Sequence, residues 1–471
     1  MKRTTQLWIS CLAAIFMTLS ATAKSHQVSS IAELMELAVQ NGNEVTMTPG
    51  TYSVRDYLTP EMLAAVGKNL DKSQGKRPPS PVLEISGNDN SFHLDGVTLE
   101  IDTRIYDNIS LAGYHRFIHI SGHRNKLHGL TVRYVGPQQG TNGNALTLWG
   151  DGNELTDVSL FVHGSYPYGY GDHLGKGHSK LVKQLGKQSG LMVGGDNCKL
   201  KRCRVISRAF GHCFYIQGAR NTLLEDCYAE GVNRSTNDML RDTSGPAFDI
   251  GFKSVYENRD GRFLITPGYR KCLVEDGFRT YAIGGPRNQK TGTTTLINCT
   301  AINTRAGFEI LGPADPAAEP TTLISCTSRG AERAFLLING NIKTRKCRGD
   351  IANGPLLYLW RGANADVELE VIGQGSEHIV HALATISGED HRVKLTRWEA
   401  EGSLPLYPIM LGYGMPAHAE IQTPILTEAA TNITLINETR APVVASELVS
   451  PDYAAAADFR DPVKFKQRQP K

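Results

Sequence analysis

A histidine and a tyrosine stand close together in the short apolar segment GHCFYIQG at residues 211–218. An imidazole and a phenol can each take up or release a proton, so His212 and Tyr215 are candidate catalytic residues. If the segment is a β-strand, alternation places Phe214 and Ile216 in a core and Tyr215 on the outside. A histidine in a turn often has only a structural role, and the remaining sequence has to decide between these interpretations.

Two polar segments on either side of this strand carry more side chains that could contact a ligand. Tyrosine rings can stack on flat apolar surfaces, and arginine can bind a carboxylate or a sulfate through two hydrogen bonds. The tyrosines could equally pack a loop among the glycines. The candidate binding residues are His163, Tyr166, Tyr168, Tyr170, His173, His178, Asp238 and Asp242, and the candidate catalytic anion-binding residues are Arg234 and Arg241.

The sequence YPYGYGDH at residues 166–173 also raises the question of a metal site. Asp172, His173 and His178 are possible ligands, but their spacing matches no strong metal-binding pattern. The sequence therefore indicates no metal and no other cofactor. Calcium is possible, although no residue pattern points to it.

A repeat of hydrophobic positions surrounds these segments. FHLDGVTLEI (92–101), CKLKRCRVIS (198–207) and TTLINCTAIN (294–303) share the pattern Leu-x-x-[Val/Leu/Cys]-x-[small apolar], and LVEDGFRTY (273–281) resembles a degenerate copy. The shorter intervals between copies are 22 to 28 residues. Short strands at this interval, with almost no helical pattern, predict a parallel β-solenoid whose coils bury their apolar residues against one another. The leading leucines are Leu94, Leu127, Leu155, Leu200, Leu224, Leu296 and Leu323.

The cysteines fit this repeat. Cys203, Cys227, Cys299 and Cys326 occupy one position of successive copies. Exported proteins often pair their cysteines in disulfides. Here the repeat favours stacked, buried thiols that act as small hydrophobic side chains.

A second strand follows each first strand, and its alternation predicts two core columns and an outward column. The core columns are Leu146/Leu191/Phe214/Phe248/Phe308 and Leu148/Val193/Ile216/Ile250/Ile310, and the outward column contains Tyr215, Asp249, Ala282 and Glu309. Because coils stack about 4.8 Å apart, Asp249 and Glu309 would lie roughly 10 Å apart. That separation is close to the upper end of the range for an inverting pair of carboxylates.

Three insertions interrupt the repeat, at residues 163–188, 231–245 and 253–271. The first two are expected at the same turn, on either side of the coil that contains His212, and the third at the opposite turn. Insertions on one side of a solenoid can form the walls of a cleft. The sequence therefore predicts a cleft at the end of the GHCFYIQG strand.

The N-terminal region supports a solenoid with a covered end. Ser30 and Glu33 form a capping-box pattern for an amphipathic helix at about residues 30–41, followed by the strand entry TPGTY. Together with the Asn- and Gly-punctuated coils, these features resemble the right-handed parallel β-helix superfamily of pectate lyases, alginate and chondroitin lyases and polygalacturonases. The resemblance implies an all-β, single-stranded right-handed parallel β-helix with an N-terminal capping helix and turn insertions, and no more specific family motif is matched.

The chain ends and the charge distribution define the expected class of protein. Residues 1–23 have the pattern of a signal peptide, which predicts an exported, periplasmic or extracellular β-helix domain at 24–440 and a polar tail at 441–471. No later apolar run is long enough to span a bilayer.

The net charge of +3 is no signature of nucleic-acid binding, but residues 160–275 contain 17 Lys+Arg and 11 Asp+Glu. This local excess favours an anionic polysaccharide or oligosaccharide as the partner of an expected monomer.

Three functions are compatible with these residues. A polysaccharide lyase would use His212 as base, Tyr215 as acid or base and Arg234 or Arg241 to hold the carboxylate of a uronic acid. An inverting glycoside hydrolase would use Asp249 and Glu309. A non-catalytic carbohydrate-binding or adhesion solenoid would keep the aromatic cleft without the chemistry.

Overall fold

The chain is a parallel β-helix with three strand ladders. The computed structural model describes residues 24–68, 81–108, 114–139, 142–175, 185–258, 260–313, 315, 317–373, 380–397, 407–414 and 426–449. The expected signal peptide and His178 lie outside the described residues. Most coils contribute one strand to each ladder, and neighbouring strands pair in parallel. Crossovers between parallel strands are right-handed in nearly all proteins, and the fold is a right-handed parallel β-helix.

We call the three ladders the first, second and third face. The first face contains Lys24–Val28, Asn43–Met47, Ser91–His93, Lys126–His128, Glu154–Thr156, Lys199–Lys201, Thr222–Glu225, Thr294–Ile297, Thr321–Ile324, Ile342–Arg345, Asp366–Val371, Arg392–Arg397 and Thr434–Asn437. The second face contains Gly50–Ser53, Val97–Asp102, Thr131–Val135, Ser159–Val162, Arg204–Ser207, Tyr228–Glu230, Thr300–Ile302, Thr327–Arg329 and Cys347–Gly349. The third face contains Leu83–Ile85, Tyr114–Ile120, Asn142–Leu148, Gln188–Val193, Phe214–Gln217, Asp276–Tyr281, Ala306–Leu311, Arg333–Gly340, Leu357–Ala363, Ala384–Ile386, Ile409–Leu411 and Val443–Ala445.

Short elements decorate these ladders. The helices are Ile31–Ala38, Val54–Tyr57, Pro60–Lys68, Thr236–Met239 and Pro246–Asp249, with a 3-10 turn at Thr103–Asn108. Antiparallel pairs join Asn233–Ser235 with Arg270–Cys272, Ile283–Gly284 with Gln289–Lys290, and Tyr413–Gly414 with Leu426–Thr427. Gly388–Glu389 pairs with both Leu357–Ala363 and Ala430–Thr431.

The turn between the first and second faces explains the cysteine repeat. One residue there has a positive φ, as in Asp226 (55°) and Asn298 (52°), and the next residue is the cysteine. Each cysteine turns into the core, and its thiol donates to the leucine carbonyl of the previous coil, as Cys299 Sγ does to Leu224 O at 3.6 Å. All eight cysteines among the described residues are buried and free. The prediction of stacked thiols is therefore confirmed.

Aromatic rings stack in the core of the third face. Phe214, Phe278, Phe308 and Phe335 follow one another with ring centroids 5.0, 5.0 and 5.1 Å apart and planes within 8° of parallel. The predicted column is correct at Leu146, Leu191, Phe214 and Phe308. It is wrong at Phe248, because Phe278 takes that place. In the leucine column, Phe92 rather than Leu94 pairs with Leu127.

The segment PAFDIGF is not a strand of the β-helix. Pro246–Asp249 is one turn of helix, with Pro246 in the first turn, and both Phe248 and Asp249 are exposed. The segment LVEDGFRTY instead contains the third-face strand Asp276–Tyr281 rather than a copy of the first strand. Residues 231–275 are therefore one continuous insertion at a single turn, and the expected departure of 253–271 from the opposite turn is wrong.

The two insertions lie on the same flank and contact each other. Residues 163–187 and 231–275 both connect the second face to the third. The phenol of Tyr170 donates to Asp242 Oδ2 at 2.5 Å, and the Val255 amide donates to His173 O at 2.8 Å. A small apolar cluster that includes Leu174, Met239 and Ile265 fills the space between the insertions. Together they form one wall beside the third face.

Both ends of the solenoid are defined by local sequence. The N-terminal helix spans Ile31–Ala38, with Ser30 Oγ accepting from the Glu33 amide and Glu33 accepting from the Ser29 amide. Ile31, Leu34 and Ala38 belong to the core that the helix covers. At the other end the ladder continues past residue 440, because Val443–Ala445 pairs with Ile409–Leu411. The expected tail boundary at 441 is therefore too early.

Candidate active site

The outer surface of the third face is organised in three rows of side chains. In the longer strands of this face two successive residues face the core, as Ala145 and Leu146 do, and Cys213 and Phe214 do likewise. The strands from Tyr114–Ile120 to Arg333–Gly340 therefore present outward residues at the same three positions. The first row is Arg116, Asn144, Ser189, His212, Asp276, Ala306 and Arg333. The second row is His119, Thr147, Met192, Tyr215, Arg279, Glu309 and Leu336. The third row contains Trp149, Gly194, Gln217, Tyr281, Leu311 and Ile338.

His212 and Asp276 form a buried pair on neighbouring coils of the first row. The Nδ1 atom of His212 lies 2.8 Å from Asp276 Oδ2, and both side chains are almost fully buried. An ionised carboxylate can only accept a hydrogen bond, so the short Nδ1–Oδ2 contact favours the neutral tautomer with the hydrogen on Nδ1 and the lone pair on Nε2. Burial lowers the pKa of His212 to about 4. The ring is therefore a neutral acceptor at physiological pH.

Two donors and one carboxylate face the Nε2 atom of His212, and the carboxylate oxygen, Glu275 Oε2, lies 3.3 Å from it. The phenol oxygen of Tyr281 lies 2.8 Å from Nε2, and Lys187 Nζ lies 3.2 Å from the same atom. Tyr281 is half-buried, and the Lys187 side chain keeps 20% of its surface exposed. These two side chains are therefore the groups through which the buried pair reaches solvent.

Two carboxylates at this centre are held in the ionised form. Burial by itself would raise the pKa of Glu275, but the charges of His212, Lys187 and Arg305 outweigh burial and hold the pKa at about 2. Burial also opposes ionisation of Asp276, yet Arg305 and His212 hold the pKa of its carboxyl well below the usual range. Lys187 forms an ion pair with Glu275. The centre is thus a set of compensated charges rather than a protonated acid.

Arg279 and Tyr215 complete the surroundings of Tyr281. The Arg279 guanidinium lies 4.2 Å from the centroid of the Tyr281 ring and pairs with Glu309. The Tyr215 ring lies 5.3 Å from the His212 ring, while its phenol donates to Asn144 Oδ1 at 2.9 Å. Tyr215 is outward, as predicted from alternation, but it is only 5% exposed. Its hydroxyl is therefore directed along the groove to a residue two coils earlier.

A buried ion network joins this centre to the insertions. Arg305 Nη1 lies 2.9 Å from Asp172 Oδ2 in the first insertion, and Arg305 Nη2 lies 3.0 Å from Asp276 Oδ1. Lys271 of the second insertion also pairs with Asp172, and its Nζ lies 3.1 Å from Glu332 Oε2. All of these groups are at most 2% exposed. Removing one partner would leave a buried charge uncompensated, so the network fixes the wall relative to the strands.

Most of the predicted binding residues lie in the wall and bond to one another. Arg234 Nη2 lies 2.6 Å from Asp242 Oδ1, and Arg241 pairs with Asp238 at the surface. His173 is buried against Ser254, and burial lowers its pKa to about 3. The first insertion also contains Tyr166, which is 48% exposed, and the half-buried Tyr168 and His163. These residues are separate from the His212 centre in the contacts that they make.

The proposed carboxylate pair is not formed. Asp249 lies in the helix Pro246–Asp249 of the wall and is exposed, whereas Glu309 lies on the third face and is fully buried. Glu309 also pairs with Arg279 and Arg305. The strand assigned to residues 246–252 was the source of the error, because the pairing rested on it. Asp249 and Glu309 are therefore not opposed across a substrate.

The sequence interpretation missed the charged residues that surround His212. Glu275, Arg305 and Glu332 each come directly before a third-face strand, and Lys187 comes directly before another. A charged residue next to an apolar strand start was the available signal. Asp276, Arg279 and Tyr281 follow from the register once Phe278 is placed in the phenylalanine stack.

A second wall borders the opposite side of the third face. The hairpin of Ile283–Gly284 and Gln289–Lys290 connects the third face to the first. Arg287 in this hairpin makes two 2.9 Å hydrogen bonds to Asp151 on an earlier coil and an ion pair with Asp196 at 3.2 Å. The hairpin therefore runs back along the solenoid, and the outer rows lie between it and the insertions.

Comparisons with known proteins give similarity in architecture only. No protein-family profile and no curated protein matches the chain. Among solved structures, it resembles a polysaccharide lyase family 6 alginate lyase in complex with a trisaccharide (TM-score 0.42, 12% identity, 91% of this chain and 88% of that chain covered). It also resembles the tailspike protein of E. coli bacteriophage HK620 (0.45, 10%, 90% and 72%) and the catalytic domain of a glycoside hydrolase family 87 α-1,3-glucanase (0.44, 8%, 93% and 70%). The fold assignment itself rests on the three ladders.

Among the described residues, no helix has the length and apolar character needed to cross a membrane.

Proposed function

We propose that this protein is a carbohydrate-active enzyme that cleaves a polysaccharide containing uronic acid by β-elimination. The observation that carries the proposal is the line from Asp276 through His212 to Tyr281, with Lys187 beside it. β-Elimination needs a base for the proton next to the carboxylate, a proton for the departing oxygen and positive charge near the carboxylate. The three requirements match the groups gathered at this end of the third face.

The proton transfers balance within these residues. The Tyr281 oxygen removes the proton from the carbon next to the carboxylate while His212 Nε2 takes up the phenolic proton and the glycosidic C–O bond breaks. The two transfers occur together because burial disfavours a free imidazolium, a cost that the carboxylates of Asp276 and Glu275 only partly offset. The departing oxygen takes a proton from Tyr281, and His212 returns its proton to Tyr281. Lys187 supplies positive charge for the substrate carboxylate.

The state of the carboxylates favours elimination over hydrolysis. A glycoside hydrolase needs a carboxylic acid that stays protonated near neutral pH to protonate the leaving group. The neighbouring cations hold the pKa values of Glu275 and Asp276 low, so neither carboxyl supplies that proton. Lys187 and Tyr281 offer a cation and a phenol instead, which suits a uronic acid.

A panel of uronic-acid polysaccharides and neutral glycans tests the proposal. We expect unsaturated product, seen by ultraviolet absorbance, together with new reducing ends on at least one acidic polysaccharide. Asp249→Asn is the matched control, because this exposed carboxylate lies outside the centre and its loss is expected to leave activity unchanged. Reducing ends without ultraviolet absorbance would identify a hydrolase, and binding without either signal would identify a non-catalytic solenoid.

We also propose that the protein acts outside the cytoplasm. The charged start, apolar stretch and small residues of positions 1–23 support export. Cell fractionation combined with N-terminal sequencing of the mature protein tests this. A cytoplasmic protein that retains Lys2 and Arg3 would contradict it.

A further inference from the structure

Trp149 occupies the same outer row as Tyr281, three coils earlier. The row continues from Trp149 through Gly194 and Gln217 to Tyr281. Coils stack about 4.8 Å apart, so the indole lies roughly 14 Å from Tyr281 along the solenoid axis. That distance is longer than one sugar ring, and it follows the direction of the groove.

The surroundings of Trp149 hold the indole in place. The Arg116 guanidinium lies 4.3 Å from the indole centroid, and the His119 ring meets the indole edge-to-face with centroids 4.9 Å apart. The indole Nε1 atom donates to Met192 Sδ at 3.4 Å. Trp149 nevertheless remains only half-buried. A fixed, partly exposed aromatic ring next to a cation is therefore present at this end of the groove.

Gly194 lies between Trp149 and Tyr281 in the outer row and leaves the bottom of the groove there without a side chain. A Cβ atom at Gly194 would lie 2.8 Å from Pro286 Cδ and 3.2 Å from Trp149 Cδ1. Pro286 belongs to the hairpin that Arg287 ties to Asp151. The hairpin thus packs beside the indole and extends the second wall as far as this point.

We propose that Trp149, with Arg116 behind it, is a binding subsite for a sugar ring of the same acidic polysaccharide, remote from the bond that is cleaved. This inference rests on the proposed function for the identity of the polysaccharide. The apolar face of a sugar ring can stack on the exposed indole, as apolar groups stack on aromatic rings elsewhere. The Arg116 guanidinium is buried behind the indole and does not contact the sugar, so its charge favours an acidic sugar through electrostatic attraction alone. The subsite makes the KM of the enzyme depend on the length of the oligosaccharide substrate.

Steady-state kinetics with acidic oligosaccharides of defined length tests the subsite. Trp149→Ala should raise KM for the longest oligosaccharides about three- to tenfold and leave kcat nearly unchanged. The KM of the shortest oligosaccharide that is still cleaved should not change, because it does not reach the indole. Equal effects on short and long substrates, or no effect on either, would overturn the subsite.

Trp360 provides the matched control. It lies in the same row on the other side of Tyr281, with the Arg361 guanidinium 4.7 Å from its ring centroid. Its indole packs against an apolar cluster that includes Leu336 and Tyr358. Trp360→Ala is therefore expected to lower thermal stability without a length-dependent change in KM. If only the Trp360→Ala variant showed a length-dependent KM, the subsite would lie at the Trp360 end of the groove and the assignment to Trp149 would be wrong.

A binding measurement separates this inference from the proposed reaction. Calorimetric titration of the Tyr281→Phe protein with galacturonate and mannuronate oligomers should show tighter binding of long oligomers, which Trp149→Ala removes. Binding that depends on Trp149 without turnover by the unmodified protein would keep the subsite and overturn the lyase. Failure of all acidic oligomers to bind would overturn the subsite, even if the unmodified protein produces unsaturated product from a polymer.

Discussion

His212 and Asp276 lie on neighbouring coils, and their side chains meet at 2.8 Å between Nδ1 and Oδ2. The same aspartate accepts a 3.0 Å hydrogen bond from Arg305 through its other oxygen. The carboxylate therefore orients the imidazole and remains ionised while it does so. This pair sets which nitrogen of His212 is available for chemistry.

Asp276→Asn should lower kcat about a hundredfold or more, because the imidazolium formed during the reaction loses its charged partner. KM should change much less, since Asp276 is buried and does not reach the substrate. The control is Asp238→Asn, which removes a carboxylate of the wall that pairs with Arg241 at the surface, away from the His212 centre. A variant with normal kcat would show that His212 does not act through Asp276.

Tyr281→Phe should abolish most of the activity, by a factor on the order of 10² to 10⁴, and leave the fold intact. Tyr215→Phe is the matched control, because its ring also lies against His212 but its hydroxyl donates to Asn144. The control should lose far less activity. If Tyr215→Phe is the more damaging change in kcat, the base has been assigned to the wrong tyrosine.

Activity should persist to a lower pH than an exposed histidine would allow. Burial lowers the pKa of His212 to about 4, so the ring stays neutral until the pH approaches that value. The acidic limb of kcat/KM should therefore fall near pH 4 rather than near 6.5. A limb close to the ordinary pKa of histidine would show that the ring is solvated in the working enzyme.

Stability should decline over the same acidic range. Burial lowers the pKa values of His212 and His391 to about 4, so the unfolded chain binds protons more readily than the folded chain. The free energy of unfolding contributed by the two neutral rings is fully present above pH 6.5. About 3 kcal/mol for each buried ring is lost as the pH falls from there towards 4. Denaturant unfolding across this range measures it, and His391→Gln should make the dependence shallower. An unchanged slope in that variant would contradict the assignment.

Arg305→Met should destabilise the protein by about 3–5 kcal/mol, because Asp172, Asp276 and Glu309 lose a buried cation. Arg124→Met is the control, since its pair with Asp89 is exposed to solvent and should contribute far less to stability. Guanidinium unfolding of both variants gives the comparison. Equal losses in the two variants would mean that the buried network contributes no more than a surface pair.

The eight cysteines from Cys198 to Cys347 should be unreactive in the native protein. Burial raises the pKa of Cys198 to about 12 and raises that of Cys213 well above its usual range. All eight side chains are also buried, so a reagent in solution cannot reach them. A thiol reagent should modify all eight only after unfolding. Rapid modification of any of them, or a disulfide on a non-reducing gel, would contradict the cysteine column.

The repeat could be read from sequence because its signals are local. Leu224 and Cys227 repeat at nearly constant spacing in Leu296 and Cys299, and the φ-positive turn between them accepts Asp or Asn. The same reasoning failed in the insertion at residues 231–275, because the helical turn Pro246–Asp249 has the alternating apolar pattern of a strand. The predicted active site depended on the strand register that the sequence analysis assigned to residues 246–252. Tyr281 therefore could not be brought beside His212 until Phe278, rather than Phe248, was placed in the stack.

The contact between Arg305 and Asp172 joins residues separated by 133 positions in the chain. Contacts of that separation form late, because a long loop must first be ordered around them. The individual coils have short connections and can pair earlier. Catalytic competence should consequently be one of the last properties regained on dilution from denaturant, after the β-sheet signal in circular dichroism has returned.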